Sequence, residues 1–212
     1  AVYVDGFLVE SYFPDAFVDF RYGAKEFPLV LLLANSMSIV KAGEIAGAHG
    51  NGKLDAAFQD LRRASSRLIL SLFPIAIGFL LASGPLFEFV FKGRFPLAVP
   101  VFDLFLLLTI PRLMFPQSVI RGYHKTFAMT FSAGVELVLN VGLSLILMQY
   151  YGIAGIAAGT VLAFFAEKII LLSYTQFKLG IGWKRYAPVG QWALASACLL
   201  AVWLIKYLLF PF

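Results

Sequence analysis

Eight ionisable side chains interrupt otherwise apolar stretches of this sequence: Asp5, Lys41, Glu44, Arg112, Glu136, Glu167, Lys168 and Lys206. A charge set among apolar residues is costly, so it is expected to face a partner or a polar cavity. Buried carboxylates such as Asp5 and Glu136 suit the exchange of a cation, whereas Arg112 and Lys41 suit a phosphate. Lys41 and Glu44 stand at i, i+3 and could simply pair with each other. Lys206 is expected to snorkel outward, and Glu167 and Lys168 lie near enough to a helix end to do the same. Asp103 and Arg112 are nine residues apart, roughly 13 Å along one helix, too far to pair within it. Pro111 and Pro116 bracket Arg112, which predicts a kinked helix with the arginine near the bend. The candidate substrate-binding residues are therefore Asp5, Arg21, Lys41, Arg112 and Glu136. Among them Arg21 is an outer-rim phosphate contact or, more plainly, a solvated loop arginine.

Catalytic spacing is missing. His49 and His124 have no cysteine or carboxylate cluster at metal-ligand spacing, and no P-loop, G-x-S-x-G or H-E-x-x-H occurs. No catalytic residue, metal or cofactor is assigned, and the chain is not read as an enzyme. Cys198 lies in an apolar run and reads as a packing residue. Gly152, Gly155 and Gly159 share one helix face and read as helix-packing positions, with a sliding surface as the sharper alternative. Gly43 and Gly47 repeat the spacing.

The elements that must carry these residues follow from the apolar runs. Of the 212 residues 60% are hydrophobic and 14% charged, with twenty-two phenylalanines, and the mean hydropathy is +0.84. So much apolar surface does not fit inside a water-soluble globule of this size. The expected fold is all-α integral membrane, a bundle of about six to seven transmembrane helices. A crossing needs about 20 apolar residues. Full spans are expected near 27–47, 68–91, 96–117, 127–148, 153–173 and 191–210, with the break between the fourth and fifth at Gln149-Tyr150-Tyr151-Gly152. Residues 1–12 read as a partial span ending at Pro14. The segments 53–66 and 176–187 read as interfacial helices resting on headgroups.

Seventeen basic against twelve acidic residues give a net charge of +5. The basic residues cluster between apolar runs, which argues against nucleic acid as a partner. Nine of them lie in the segments 47–67, 118–126 and 174–190 and four in the alternating loops, which places the first set in the cytoplasm. The sequence opens without Met or a basic leader-like stretch and reads as a fragment of something longer.

Several motifs carry a resemblance. Leu139-Asn140-Val141 through Tyr151-Gly152-Ile153-Ala154-Gly155-Ile156-Ala157-Ala158-Gly159-Thr160 resembles a signature of polysaccharide exporters and oligosaccharide flippases. These belong to the multidrug/oligosaccharidyl-lipid/polysaccharide superfamily. Pro74, Pro85-Leu86-Phe87 and Phe91-Lys92-Gly93-Arg94-Phe95 are similar to a second stretch of that family. Val119-Ile120-Arg121-Gly122-Tyr123-His124-Lys125 resembles its following turn, although Arg121 and His124 add charge there, so no function is carried onto it. Val4-Asp5, Tyr22-Gly23-Ala24 and Pro28 resemble the opening of its second six-helix lobe. Together they cover nearly the whole chain.

The resemblance implies that residues 1–212 are the C-terminal transmembrane lobe of a two-lobe transporter, with the N-terminal lobe of the same chain as its missing partner. It implies the bacterial inner (cytoplasmic) membrane as location. The implied substrate is an undecaprenyl-diphosphate-linked oligosaccharide, flipped by alternating access through a cationic cavity. Membrane lipid is the other partner. A cation-coupled multidrug antiporter of the same superfamily is the alternative, distinguished by buried carboxylates such as Asp5 and Glu136 in place of arginines. A membrane enzyme of lipid or glycan assembly is the third reading.

Overall fold

The computed structural model describes residues 2–209; the expected ends of the first and last spans at 1 and 210 lie outside them. Among the described residues every regular element is helical. In chain order these are α1 (Val2–Tyr12), a 3-10 turn (Pro14–Ala16), α2 (Phe17–Gly23), α3 (Pro28–His49) and α4 (Leu54–Phe91). Then follow α5 (Ala98–Leu106), α6 (Thr109–Arg112), α7 (Pro116–Gly122) and α8 (Thr126–Ser173). A π turn (Tyr174–Lys178), α9 (Trp183–Tyr186) and α10 (Val189–Leu209) complete the chain.

Four helical stretches, Pro28–His49, Leu54–Phe91, Thr126–Lys178 and Val189–Leu209, are long and apolar enough to cross a membrane. The bent pair Ala98–Arg112 and Pro116–Gly122, turning by 45°, makes a fifth. The third stretch is itself double. At Gly152 the backbone takes φ 56° and ψ −135°, a left-handed conformation that glycine adopts at little cost, and the chain folds back on itself. Asn140 Nδ2 then donates to Thr160 Oγ1 at 2.9 Å, whereas twenty residues of straight helix would hold them about 30 Å apart. The break between the two limbs, 126–151 and 153–173, falls at the expected Gln149–Gly152 interruption. Gly155 and Gly159 are what let them close. A Cβ on Gly155 would meet the Leu147 carbonyl oxygen at 2.2 Å, and one on Gly159 would meet Ser144 Oγ at 2.6 Å. Gly152 itself faces open space, as do Gly43 and Gly47. Gly152 is thus the turn and not a packing position, and the packing partner of the other two is the preceding limb.

The centre of the bundle is the broken helix α5–α7, buried almost without interruption from Ala98 to Ile120. Prolines explain the breaks. Pro111 has no amide to donate, and Pro116 disfavours helix at Phe115 before it. The expected kink beside Arg112 is there, and the helical course continues to Gly122, past the expected end at 117. The Ile110 carbonyl freed by the break accepts from the Trp192 indole of α10 at 2.9 Å. α7 lies against α3, where Ser118 Oγ meets Ser38 Oγ at 3.1 Å and Gly122 leaves room for Ile45.

Two expectations need correction. Residues 53–66 do not form a separate interfacial helix: α4 runs unbroken from Leu54 to Phe91, about 57 Å, because neither Gly nor Pro interrupts 59–68. Its first apolar face does not rest on headgroups; Ala57, Phe58 and Leu61 are buried, and Arg185 stacks over the Phe58 ring at 5.4 Å. Nor is 176–187 one helix. Gly180, at φ 66°, interrupts it, and only the four residues of α9 are α-helical.

The peripheral helices wear apolar side chains on the outside. Phe89 is 85%, Phe127 81% and Leu208 80% exposed, and across the most apolar stretch of α10 only 11% is buried within the protein. An exterior of this kind is matched to an apolar surrounding.

Candidate functional site

α1 meets both limbs of α8 through a polar seam in an apolar interior. Asp5 on α1 is wholly buried, and its Oδ2 lies 2.8 Å from Thr160 Oγ1 on the second limb. Thr160 in turn accepts from Asn140 of the first limb. Its single proton has two possible acceptors, Asp5 and, at 3.2 Å, the Ile156 carbonyl. Asp5 Oδ1 and Asn140 Oδ1 are buried with no hydrogen-bond partner. One helical turn before Asn140, Glu136 also holds a buried and unpartnered Oε1, within electrostatic range of Glu167, Asp5 and Arg112. All three orphaned atoms are acceptors. Three buried acceptors without a donor are an arrangement that a bound water, a proton or a small cation would complete. Among the described residues no three or more His, Cys, Asp or Glu side chains form a group that could hold a metal ion.

The cationic candidates are not free in the same way. Arg112 forms a bidentate pair with Glu26, Nε to Oε2 at 2.9 Å and Nη2 to Oε1 at 2.8 Å, and its guanidinium lies 4.7 Å from the Phe164 ring centre. Lys41 pairs with Glu44 at 2.6 Å. Arg21 has no hydrogen-bond or ion-pair partner among the described residues and lines a cavity of about 440 Å³ with Gly6, Glu10, Phe20 and Lys25. The five candidates therefore do not form one site: Asp5 and Glu136 belong to the seam, Arg21 to the neighbouring cavity, and Arg112 and Lys41 to ion pairs.

Sequence reasoning missed several members of this region. Asn140 and Thr160 pass for ordinary helix residues until Gly152 brings them together. Lys168 does not snorkel; it is 8% exposed and donates to Gln117 Oε1 at 3.0 Å, a neutral partner. Lys206 does not snorkel either. It turns inward to Asp103 Oδ2 and Ser83 Oγ and to the Leu80 carbonyl at 2.9 Å, tying α10 to α4 and α5.

Outside the apolar helices, Tyr186 is wholly buried and lies 2.9 Å from Thr175 Oγ1. Thr175 spends its own proton on the Leu172 carbonyl at 2.8 Å, so the phenol is the donor. Burial pushes the Tyr186 phenol up to about 12, against a smaller opposing effect of Thr175.

No family model, no curated protein and no solved structure matches this chain.

Proposed function

We propose that the chain is one lobe of a multi-pass bacterial inner-membrane transporter that moves a lipid-linked oligosaccharide outward by alternating access, with Asp5 exchanging the driving ion. The observation that carries the reading is the buried Asp5 carboxylate, hydrogen-bonded by Thr160 through Oδ2 and with an Oδ1 that has no hydrogen-bond partner among the described residues. A carboxylate in an apolar bundle is retained at a cost, and proton or cation relay is the usual return for it. Neutralising Asp5 changes how firmly it holds Thr160, and with it how firmly α1 is tied to α8. Ion occupancy is thereby linked to the position of α1.

The apolar exterior supports a bilayer as the surrounding solvent, and helices are the elements that satisfy their own backbone there. The glycan-lipid substrate rests on the resemblance of the 139–160 stretch and is supported by Lys168. Among the described residues that buried ammonium has the Gln117 amide oxygen as its hydrogen-bond partner and no ion pair within 4 Å, and it offers charge to a diphosphate. A second lobe, which the resemblance implies, would supply the remaining positive charge.

One observation favours the cation-coupled multidrug antiporter instead. Arg112, the deepest arginine, is neutralised by Glu26, leaving carboxylates as the seam's free charges. Reconstitution of the full-length protein separates the two. Flipping of a polyprenyl-diphosphate oligosaccharide, accelerated by an imposed proton or sodium gradient, is expected. Gradient-driven efflux of cationic drugs without glycan movement would establish the second reading, and ion-independent behaviour toward both would overturn the proposal.

A further inference from the structure

On the side assigned to the cytoplasm by charge, a cavity of about 500 Å³ opens between α4 and the start of α10, lined by Arg62, Arg63, Ser66, Arg67, Pro188, Gly190 and Gln191. Three guanidinium groups and no carboxylate form its wall. Arg62 and Arg67 have no ion-pair partner among the described residues, and Arg63 only approaches Asp60 at 3.8 Å, with both side chains exposed. The nearby Asp55 is taken by Arg185. Ser66 donates to Gln191 Oε1 at 2.6 Å, which leaves the Gln191 amide NH2 unused. The described residues thus gather three like charges at one spot, with the exposed Asp60 beside Arg63 as the one carboxylate paired with any of them.

We propose that this cavity holds the phosphate of an anionic phospholipid in the inner leaflet. Guanidinium groups match phosphate oxygens in geometry as well as charge, and the first turn of α10 adds backbone amides of the favourable sign. The choice of a lipid over free phosphate comes from what lies next to the cavity. Leu70 follows Arg67 on α4, and Leu194 follows Gln191 on α10, at 64% and 69% exposure. One helical turn beyond the basic opening, two packed helices thus present exposed apolar side chains, the surface an acyl chain needs beneath its headgroup. Basic pockets between helices at the cytoplasmic face are sites of this kind. The proposal rests on the bilayer reading above but not on the transport reading.

The test uses the full-length protein in zwitterionic detergent micelles, with its Tm followed as dioleoyl phosphatidylglycerol is added. Dioleoyl phosphatidylcholine and inorganic phosphate are the parallel probes. Phosphatidylglycerol is expected to raise the Tm at low mole fraction, with neither control doing so. The R62Q/R67Q variant, which keeps polar side chains on an exposed surface, should need at least about tenfold more phosphatidylglycerol. A K125Q/K178Q variant, with the same loss of charge outside the cavity, should respond as wild type. An equal response from R62Q/R67Q, an equal loss in K125Q/K178Q, or a shift reproduced by phosphate alone would overturn the proposal. Release of the protein from membranes by alkaline carbonate would instead count against the bilayer reading, which keeps the two failures apart.

Discussion

Asp5 and Thr160 lie 155 positions apart in the chain and meet at 2.8 Å, carboxylate Oδ2 to hydroxyl Oγ1. The contact forms because Gly152 reverses α8 and because Gly159, beside Thr160, lets the two limbs close. Among the described residues no lysine or arginine side chain pairs with this acid. The seam is therefore both a packing feature and the place of a wholly buried carboxylate with one unpartnered oxygen.

The first expectation concerns that charge. Asp5→Asn keeps the shape and can still accept from Thr160, while removing the group proposed to exchange an ion. Transport by the full-length protein should fall by at least about a hundredfold, as expected for an obligatory proton or cation carrier, with Tm unchanged or higher since a buried charge has gone. A variant that transports normally would remove Asp5 from the mechanism.

Arg112 and Glu26 carry a second expectation. Substituting either alone strands its partner in a site where the two side chains are 23% and 14% exposed, at a cost of about 3–5 kcal/mol. The double variant Glu26→Gln/Arg112→Gln should recover most of that. Membrane abundance and Tm across the four proteins read the coupling. Equal loss in the double variant would show that the pair is not what holds the arginine.

Gly159→Ala should destabilise by about 1–3 kcal/mol, because the new methyl group overpacks against Ser144. Gly43→Ala, on a face with nothing within 4 Å, should be neutral or stabilising by up to about 1 kcal/mol. Thermal unfolding in detergent compares the two, and the same effect from both would contradict the hairpin packing.

Tyr186 provides a pH dependence. Its phenol is raised to about 12 from an ordinary 10, so the folded state favours the protonated form. That stabilisation is complete below pH 10 and is lost as pH rises toward 12. Tyr186→Phe removes the hydrogen bond to Thr175, costing about 0.5–1.5 kcal/mol near neutrality. Its Tm should also fall less steeply above pH 10 than that of wild type. Parallel alkaline limbs would assign the titration elsewhere.

The long apolar helices were legible because such runs need no tertiary information: charge-free stretches and the Gln149–Gly152 interruption mark them directly. The kink at Pro111–Arg112 was legible for the same local reason. What failed was pairing. Lys206 near a helix end looks free to snorkel until Asp103, on a different helix, is found opposite it. Glu26 sits 86 positions from Arg112, and no spacing rule connects them. Residues 53–66 are amphipathic in the manner of a surface helix. Whether such a face meets headgroups or protein depends on what packs over it, and here Tyr186 and Arg185 do. Lys168 was discounted by its position along the helix, although its burial depends on which neighbours surround it.

Everything in this account depends on the helices threading a bilayer with alternating connections on opposite sides. Single cysteines in a Cys198→Ala background test this most directly, using a membrane-impermeant thiol reagent on sealed, oriented vesicles. Cysteine at Asn51 and at Lys178 is expected to react only from the cytoplasmic side, and cysteine at Lys92 and at Tyr150 only from the other. Labelling of all four from the same side would contradict it.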